Sequence, residues 1–462
     1  MNHPSSKPDI GRPDTGKSDA HLDSNTPDAP AKNYRRYVLF LLTIVYAFNF
    51  IDRQILVVLQ ESIKVDMDLN DAQLGLLTGF AFAIFYVSVG IPIARLADSG
   101  NRRNIVAASV AVWSGMTALS GFTQNYFQLL LARIGVGVGE AGGSPPSHSI
   151  LSDYYPAKER GRAMAIYSMG VYIGILVGYG IGGWVNQHYG WRMAFFAVGI
   201  PGLLIALLVK FTIREPIRGL ADGNTKKETV TFKHTLSSLW RLHSFRFFTV
   251  GAGLTAFVSY GVGNFLPSFL VRSHGFTPIE VGTSLMLTTG VGGALGTFIG
   301  GYLADKYGQR DMRWYLWVPA IPAIFGPALI ISSMFVSDSN MALVLLFFAT
   351  VLGALYLGPV IAITHTLVSP SMRAMASAIL FFILNLIGLG LGPLTVGLIS
   401  DALSPTLGSD SLRYAIAAVS LVGLLSMVCF YIAASKLPRD ISRQRARSEL
   451  INPTDNPKIV IS

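Results

Sequence analysis

Four ionisable side chains interrupt otherwise apolar stretches in the first half of this chain. Asp52 and Arg53 share one stretch, and Arg133 and Glu140 share another. Each charge inside a hydrocarbon layer costs about 2.5–3.5 kcal/mol at a helix centre, so each needs a partner or a task. Two chemistries are open to them. Burial favours a neutral carboxyl and a nearby arginine favours a charged one, so moving a helix can make Asp52 and Glu140 take up or release a proton. Arginine stays charged throughout and can grip an anion with two parallel hydrogen bonds, which suits Arg53 and Arg133 to an anionic substrate. The competing reading is a buried ion-pair network that only fixes helix packing.

Spacing restricts the pairings. Asp52 and Arg53 are neighbours, about 100° apart around a helix, and make poor partners for each other. Arg133 and Glu140 are seven residues apart, so they share a face at a separation of about 10 Å. Counting from the ends of their stretches, Asp52 and Arg133 fall at similar heights and Glu140 nearer the midplane. The expectation is an Asp52–Arg133 pair, with Glu140 facing a central cavity and Arg53 or Arg133 in reach.

The elements that must carry these residues follow from composition. Charged residues are 13% of the 462, against about 25% in an ordinary soluble domain, and mean hydropathy is +0.48. A water-soluble globule is excluded. Twelve apolar runs are long enough to cross about 30 Å of hydrocarbon as helices. They cover 36–59, 72–94, 104–122, 126–150, 163–186, 192–212, 247–271, 279–301, 314–336, 341–368, 373–400 and 412–435. The fold class is therefore an all-α membrane protein with twelve transmembrane helices in two six-helix bundles. Residues 1–34 form a polar, disordered tail, 35–212 the first bundle, 213–246 a polar linker, 247–435 the second bundle and 436–462 a second tail. Cations weight one side. Seventeen loop Lys and Arg fall on the face of the tails and linker, against Lys64, Arg192, Arg272 and Arg413 on the other, which puts both termini in the cytoplasm. The +10 net charge is then topology, with no nucleic-acid partner implied. The single Cys429 rules out a disulfide framework. No metal-spaced histidine cluster, phosphate loop or Gly-x-Ser-x-Gly string points to an enzyme or a cofactor.

The chain also repeats itself. Residues 94–103 read Ala-Arg-Leu-Ala-Asp-Ser-Gly-Asn-Arg-Arg and 301–310 read Gly-Tyr-Leu-Ala-Asp-Lys-Tyr-Gly-Gln-Arg, with Asp98 and Asp305 207 positions apart. Gly75 maps to Gly282 at the same offset. Gly174-Ile-Leu-Val-Gly178-Tyr-Gly-Ile-Gly-Gly183 echoes Gly388-Leu-Gly-Leu-Gly392-Pro-Leu-Thr-Val-Gly397. Glycines four apart, as in Gly170, Gly174, Gly178 and Gly182 or Gly292, Gly296 and Gly300, serve either helix packing or sliding between the halves. A doubled membrane bundle is the architecture of an alternating-access carrier.

The doubled Gly-x-Leu-Ala-Asp-x-x-Gly-x-Arg pattern, the twelve runs and the central polar loop resemble the major facilitator superfamily across residues 35–435. The resemblance implies a transporter whose Asp98 docks on a helix start of the other half and closes the cytoplasmic side, with Arg102 and Arg103 completing the cluster. Asp305 and Arg310 are the second copy. Ala94 and Asn101 stand where the first copy would carry glycine, and Tyr179 stands where exchangers carry proline. Asn49-Phe-Ile-Asp-Arg-Gln54, Arg133-Ile-Gly-Val-Gly-Val-Gly-Glu-Ala141 and Ser152-Asp-Tyr-Tyr-Pro-Ala-Lys-Glu-Arg-Gly-Arg-Ala163 resemble the Spinster branch, whose members carry lysophospholipids and sphingoid phosphates. Proton-coupled organic-acid symporters share the same four charges and give the alternative, a sugar-acid or carboxylate substrate. Spans seven to eleven, in the second half, carry no Asp, Glu, Lys or Arg away from their ends. Tyr260, Asn264, Tyr356, His365 and Asn385 are their candidates for lining an apolar wall against an amphipathic substrate. The partners expected are the bilayer of a bacterial inner membrane, protons and a small anionic or amphipathic substrate, with the protein acting as a monomer.

Overall fold

The computed structural model describes residues 31–218, 232–369 and 372–451. Helices and turns account for the described residues, and no strand occurs among them. The first half contributes α1 (Lys32–Met67), α2 (Asp71–Gly75), α3 (Ala81–Ser99), α4 (Arg102–Ser120), α5 (Tyr126–Glu140), α6 (Ser144–Tyr154), α7 (Ala157–Tyr189) and α8 (Trp191–Thr212). After α9 (Phe232–Trp240) come α10 (His243–His274), α11 (Pro278–Leu285), α12 (Gly292–Gly308), α13 (Trp314–Ala320), α14 (Pro322–Phe335), α15 (Ser339–Ala354) and α16 (Leu357–Thr366). The chain ends with α17 (Arg373–Leu384), α18 (Gly392–Leu407), α19 (Ser411–Ser420) and α20 (Val422–Ile451). Eight helical stretches among the described residues are long and apolar enough to cross a membrane.

Several apolar runs are broken where the sequence continues apolar. The 126–150 run divides into α5 and α6 directly after Glu140, at Ala141-Gly142-Gly143 followed by Pro145 and Pro146. The 341–368 run divides between α15 and α16 at Leu355 and Tyr356. Three junctions, Leu76–Phe80, Met286–Val291 and Asn385–Leu391, are π-helical. Such insertions weaken the hydrogen-bond ladder locally and recur at functional hinges. The tail and linker boundaries also shift. Helix α1 begins at Lys32, inside the segment read as a tail, and α9 lies within the 213–246 linker. Helix α20 runs to Ile451, well into 436–462. Residues 1–30, 219–231, 370–371 and 452–462 lie outside the described part.

The glycine stripes serve packing within each half, not sliding between halves. A Cβ on Gly174 would sit 2.4 Å from the Ala47 carbonyl of α1, and one on Gly296 2.2 Å from the Val351 carbonyl of α15. Small residues there let backbones touch, which is how helices adhere in lipid.

The apolar core is distributed unevenly. Around Asp71, one buried cluster runs through both halves, from Val58, Leu59 and Tyr179 to Phe265, Leu266, Val281 and Val396. Towards the Asp98 end the core divides. One cluster (Val38, Val110, Trp113, Tyr167) lies in the first half with Leu389 at its edge, and another (Phe245, Phe248, Ile379, Phe430) lies in the second. The halves share one core at the Asp71 end, and at the other their cores are distinct but meet at Leu389 and Tyr260.

Candidate functional site

Helices α1, α3, α4 and α5 converge on the four charges. Glycines set how closely α5 can approach its neighbours. A Cβ on Gly137 would lie 2.9 Å from the Phe82 carbonyl of α3, and one on Gly139 2.6 Å from the Trp113 amide nitrogen of α4. The Gly-Val-Gly-Val-Gly string before Glu140 therefore wedges α5 between two backbones and holds the carboxylate at the end of a rigid helix. Asp52, Arg133 and Glu140 are all but fully buried, whereas the Arg53 side chain keeps 16% of its surface exposed.

Glu140 pairs with Arg53: Nε of Arg53 donates to Oε2 of Glu140 at 2.8 Å. The guanidinium carbon of Arg53 also lies 5.2, 4.8 and 5.1 Å from the ring centroids of Phe50, Phe82 and Tyr86. Cations over aromatic faces are held by the ring quadrupole, by about 2 kcal/mol or more where water is excluded. Phe82 is shared, because the Arg133 guanidinium carbon lies 5.8 Å from the same ring. Behind this collar Tyr46 stacks on Tyr167 at 4.5 Å and meets Phe50 edge-on at 5.4 Å.

The expected Asp52–Arg133 ion pair is not formed. Asp52 instead accepts a hydrogen bond from the Thr117 hydroxyl of α4. Nε and Nη1 of Arg133 are buried with no hydrogen-bond partner among the described residues, and so is Oε1 of Glu140. Helical rise fixed the heights of these groups correctly enough to bring them together. It said nothing of the angle around each helix axis, and that angle gives Glu140 to Arg53 and places Thr117 beside Asp52.

The remaining candidates spread widely. Arg102 is bound within its own half, donating to Asp153 at 2.5 Å, Glu215 at 2.7 Å, Ser149 at 2.8 Å and the Pro216 carbonyl at 3.0 Å. The Arg103 amide donates to Glu215 at 2.8 Å. Asp98 falls in the last turn of α3, and its side chain lies outside the described residues. Asp305 is exposed and accepts from the Tyr315 hydroxyl at 3.0 Å, and Arg310 is exposed. Tyr260 packs against the Asp98-end clusters of both halves. Asn264, four residues on, donates from its side chain to the Tyr260 carbonyl at 2.8 Å, while its backbone carbonyl accepts from Gln60 of α1 at 2.6 Å. The Asn264 backbone thus joins the halves, while its side-chain Oδ1 is buried with no hydrogen-bond partner among the described residues. His365 is hydrogen-bonded to Ser377 at 2.6 Å, Tyr356 packs on the second-half core, and Asn385 opens a π-helical junction. No bond or ring contact links these three to the four charges among the described residues. Sequence reading missed Phe50, Phe82, Tyr86 and Thr117. The available signal was spacing, since Phe50 lies three before Arg53, and Phe82 and Tyr86 lie four apart on one face.

A helical bundle whose cross-half ion pairs and caps gather at one end, built around buried charges, defines a membrane carrier. The comparisons agree. The profile of the Major Facilitator Superfamily matches residues 42–330 and 248–460, and the chain belongs to that superfamily of transporters, not to an enzyme family. It is an integral membrane protein. Among solved structures it is similar to a bacterial homologue of the human lysosomal transporter Spinster, in an inward-facing and unoccupied conformation. The TM-score is 0.82 and the identity 33%, covering 89% of this chain and 99% of that one. An MFS-type efflux pump of Mycolicibacterium smegmatis is 33% identical over 91% of this chain and 98% of its own. The sphingosine-1-phosphate transporter SPNS2 of Danio rerio is 27% identical over 85% of this chain and 83% of its own. A probable galactarate/D-glucarate transporter, GudP of Bacillus subtilis, is 26% identical over 64% of this chain and 71% of its own.

Proposed function

We propose that this protein is a proton-coupled, alternating-access carrier of an amphipathic anion of the lysophospholipid or sphingoid-phosphate class. The reading places twelve spans in two six-helix bundles in a bacterial inner membrane. Both termini are cytoplasmic and the Asp98 end is the cytoplasmic one. The observation that carries it is Arg53, pinned by Glu140 through Nε and collared by Phe50, Phe82 and Tyr86, yet still partly exposed. Its remaining N–H groups suit a phosphate or carboxylate head, and the aromatic wall suits an apolar tail. Protonating Glu140 removes the charge that competes with an anion for Arg53, and this supplies the coupling. Asp52 and Arg133 supply a second buried carboxyl and guanidinium, not ion-paired with each other in this state. Tyr260, Tyr356, His365 and Asn385 line the opposite wall in this reading, with Asn264 at the joint between walls. Asp98 and Asp305, with Arg102, Arg103 and Arg310, act when the cytoplasmic end closes.

A second reading, a small organic acid, is favoured by the similarity to the galactarate/D-glucarate transporter over 64% of the chain. Uptake into proteoliposomes, with and without an inward proton gradient, decides between them. Gradient-sensitive movement of labelled lysophospholipid alone supports the lipid reading. Movement of labelled gluconate alone overturns it in favour of the acid.

A further inference from the structure

Arg272, in the last turn of α10, enters the sequence reading only as a loop cation. The structure gives it two carboxylates of the other half. It donates from Nε and Nη2 to Glu61 of α1 at 2.9 Å each, and from Nη1 and Nη2 to Asp71 of α2 at 2.8 Å each. Asp71 also takes Lys64 at 2.5 Å and the Ser400 hydroxyl at 2.7 Å. Beside it, the Asp401 carboxylate of α18 accepts from the backbone amides of Asp71 and Ala72 at 3.0 and 2.8 Å. These are the free N–H groups that begin the helical stretch Asp71–Ala97, and the next one, on Gln73, is taken by its own N-cap Asn70 at 2.8 Å. The first half thus lends a helix start and the second half caps it with an anion, matching the positive end of the helix dipole.

The same device recurs in the repeat. The Ile279 amide of α11 donates to Oε1 of Gln187 on α7 at 3.0 Å. Ile279 lies 207 positions after Ala72, the offset that relates Asp98 to Asp305. Asp401 lies 214 after Gln187, the offset that relates Gly183 to Gly397. Around each cap the helices touch through glycine. A Cβ on Gly75 would meet the Pro393 carbonyl at 2.4 Å and one on Gly397 the Asp71 carbonyl at 2.3 Å. On the other side, one on Gly183 would meet the Pro278 carbonyl at 2.4 Å and one on Gly282 the Tyr179 carbonyl at 2.6 Å.

We infer that these two cross-half caps, Asp401 on α2 and Gln187 on α11, together with the Arg272–Glu61–Asp71 cluster, are the gate that holds the Asp71 end shut. The charged cap carries the larger share, because Asp401 and Arg272 leave ionised groups without partners when the halves part, whereas Gln187 leaves one neutral amide. The inference rests on the alternating-access reading above. It assigns a transport role to five residues, Asp401, Gln187, Arg272, Glu61 and Asp71, at the end opposite the repeated Asp98 and Asp305 loops.

The test is a distance measurement by pulsed electron spin resonance on the full chain. Spin labels go on Val65→Cys of α1 and Ser404→Cys of α18 in a Cys429→Ser background. Arg272→Gln and Asp401→Ala should each raise the long-distance population about fivefold or more, the usual size of a coupling between two states. Gln187→Leu should raise it less. Distributions unchanged in both Asp401→Ala and Arg272→Gln overturn the gate. Should Arg272→Gln fail to fold, judged by its melting in detergent, Asp401→Ala alone decides, since it removes an acceptor and no packing atom from the glycine contacts. The readout needs no substrate. A shifted distribution in a protein that carries neither lysolipid nor gluconate keeps the gate and sinks the functional reading. Normal uptake with unshifted distances does the reverse.

Discussion

Arg53 is the side chain on which the chemistry turns, because it alone of the four charges combines an ion pair, three aromatic faces and residual exposure. Arg53→Ala is expected to weaken substrate binding by about tenfold or more, the loss of one charge-assisted bidentate contact. Titration of purified protein checks this, and unchanged affinity would assign Arg53 to packing. Arg53→Lys should restore little, since a lysine cannot hold Glu140 and an anion with one planar fork. The carboxyls make a separate prediction. Asp52→Asn and Glu140→Gln should abolish gradient-driven uptake and leave exchange partly intact, and gradient dependence persisting in both variants refutes the coupling role. These four charges were legible in the sequence because each is an outlier in an apolar run. The collar was not legible. Every span of this chain carries aromatics, and only the approach of α3 to α5 through Gly137 selects Phe82 and Tyr86.

At the scale of elements, the string before Glu140 is a packing device with a measurable cost of error. Gly139→Ala pushes a methyl to 2.6 Å from the Trp113 backbone nitrogen, which no rotamer change relieves. It should destabilise the protein by about 1–3 kcal/mol, as overpacking does elsewhere. Gly301→Ala meets nothing within 4 Å and should leave the melting temperature unchanged. Equal melting of the two variants in detergent would contradict this account of α5. The helix breaks show where pattern reading stops. Gly142, Gly143, Pro145 and Pro146 mark the end of α5 in plain letters, but hydropathy continues across them, so the 126–150 run reads as one span. The doubled loops pointed to a repeated architecture, and the repeat proved deeper than its loops. Its second expression, the matched caps on α2 and α11, rests on Asp401, Gln187 and three backbone amides that no sequence motif announces.

At the scale of the molecule, the core is continuous across the halves at the Asp71 end and divides towards the other, meeting there at Leu389 and Tyr260. Under the alternating access proposed above, this is the state shut at the Asp71 end. Reaching the opposite state requires Gly75 to leave Pro393 and Gly397 to leave Asp71, while the Asp98 end closes. Two substitutions should therefore move the population in opposite directions. Gly397→Val wedges a branched side chain into a contact where even a Cβ has no room, and it should favour opening at the Asp71 end. Asp98→Ala removes, on the superfamily resemblance, the anion that docks when the other end closes, and it should favour the state described here. An impermeant thiol reagent reports both on a cysteine placed at Tyr260, in a Cys429→Ser background in sealed vesicles of known orientation. Labelling from the Asp71 side should rise about fivefold in Gly397→Val and fall in Asp98→Ala, within the range of ordinary two-state couplings. Matching changes in both would mean that the two ends do not exchange with each other, and alternating access would be the wrong description of this bundle.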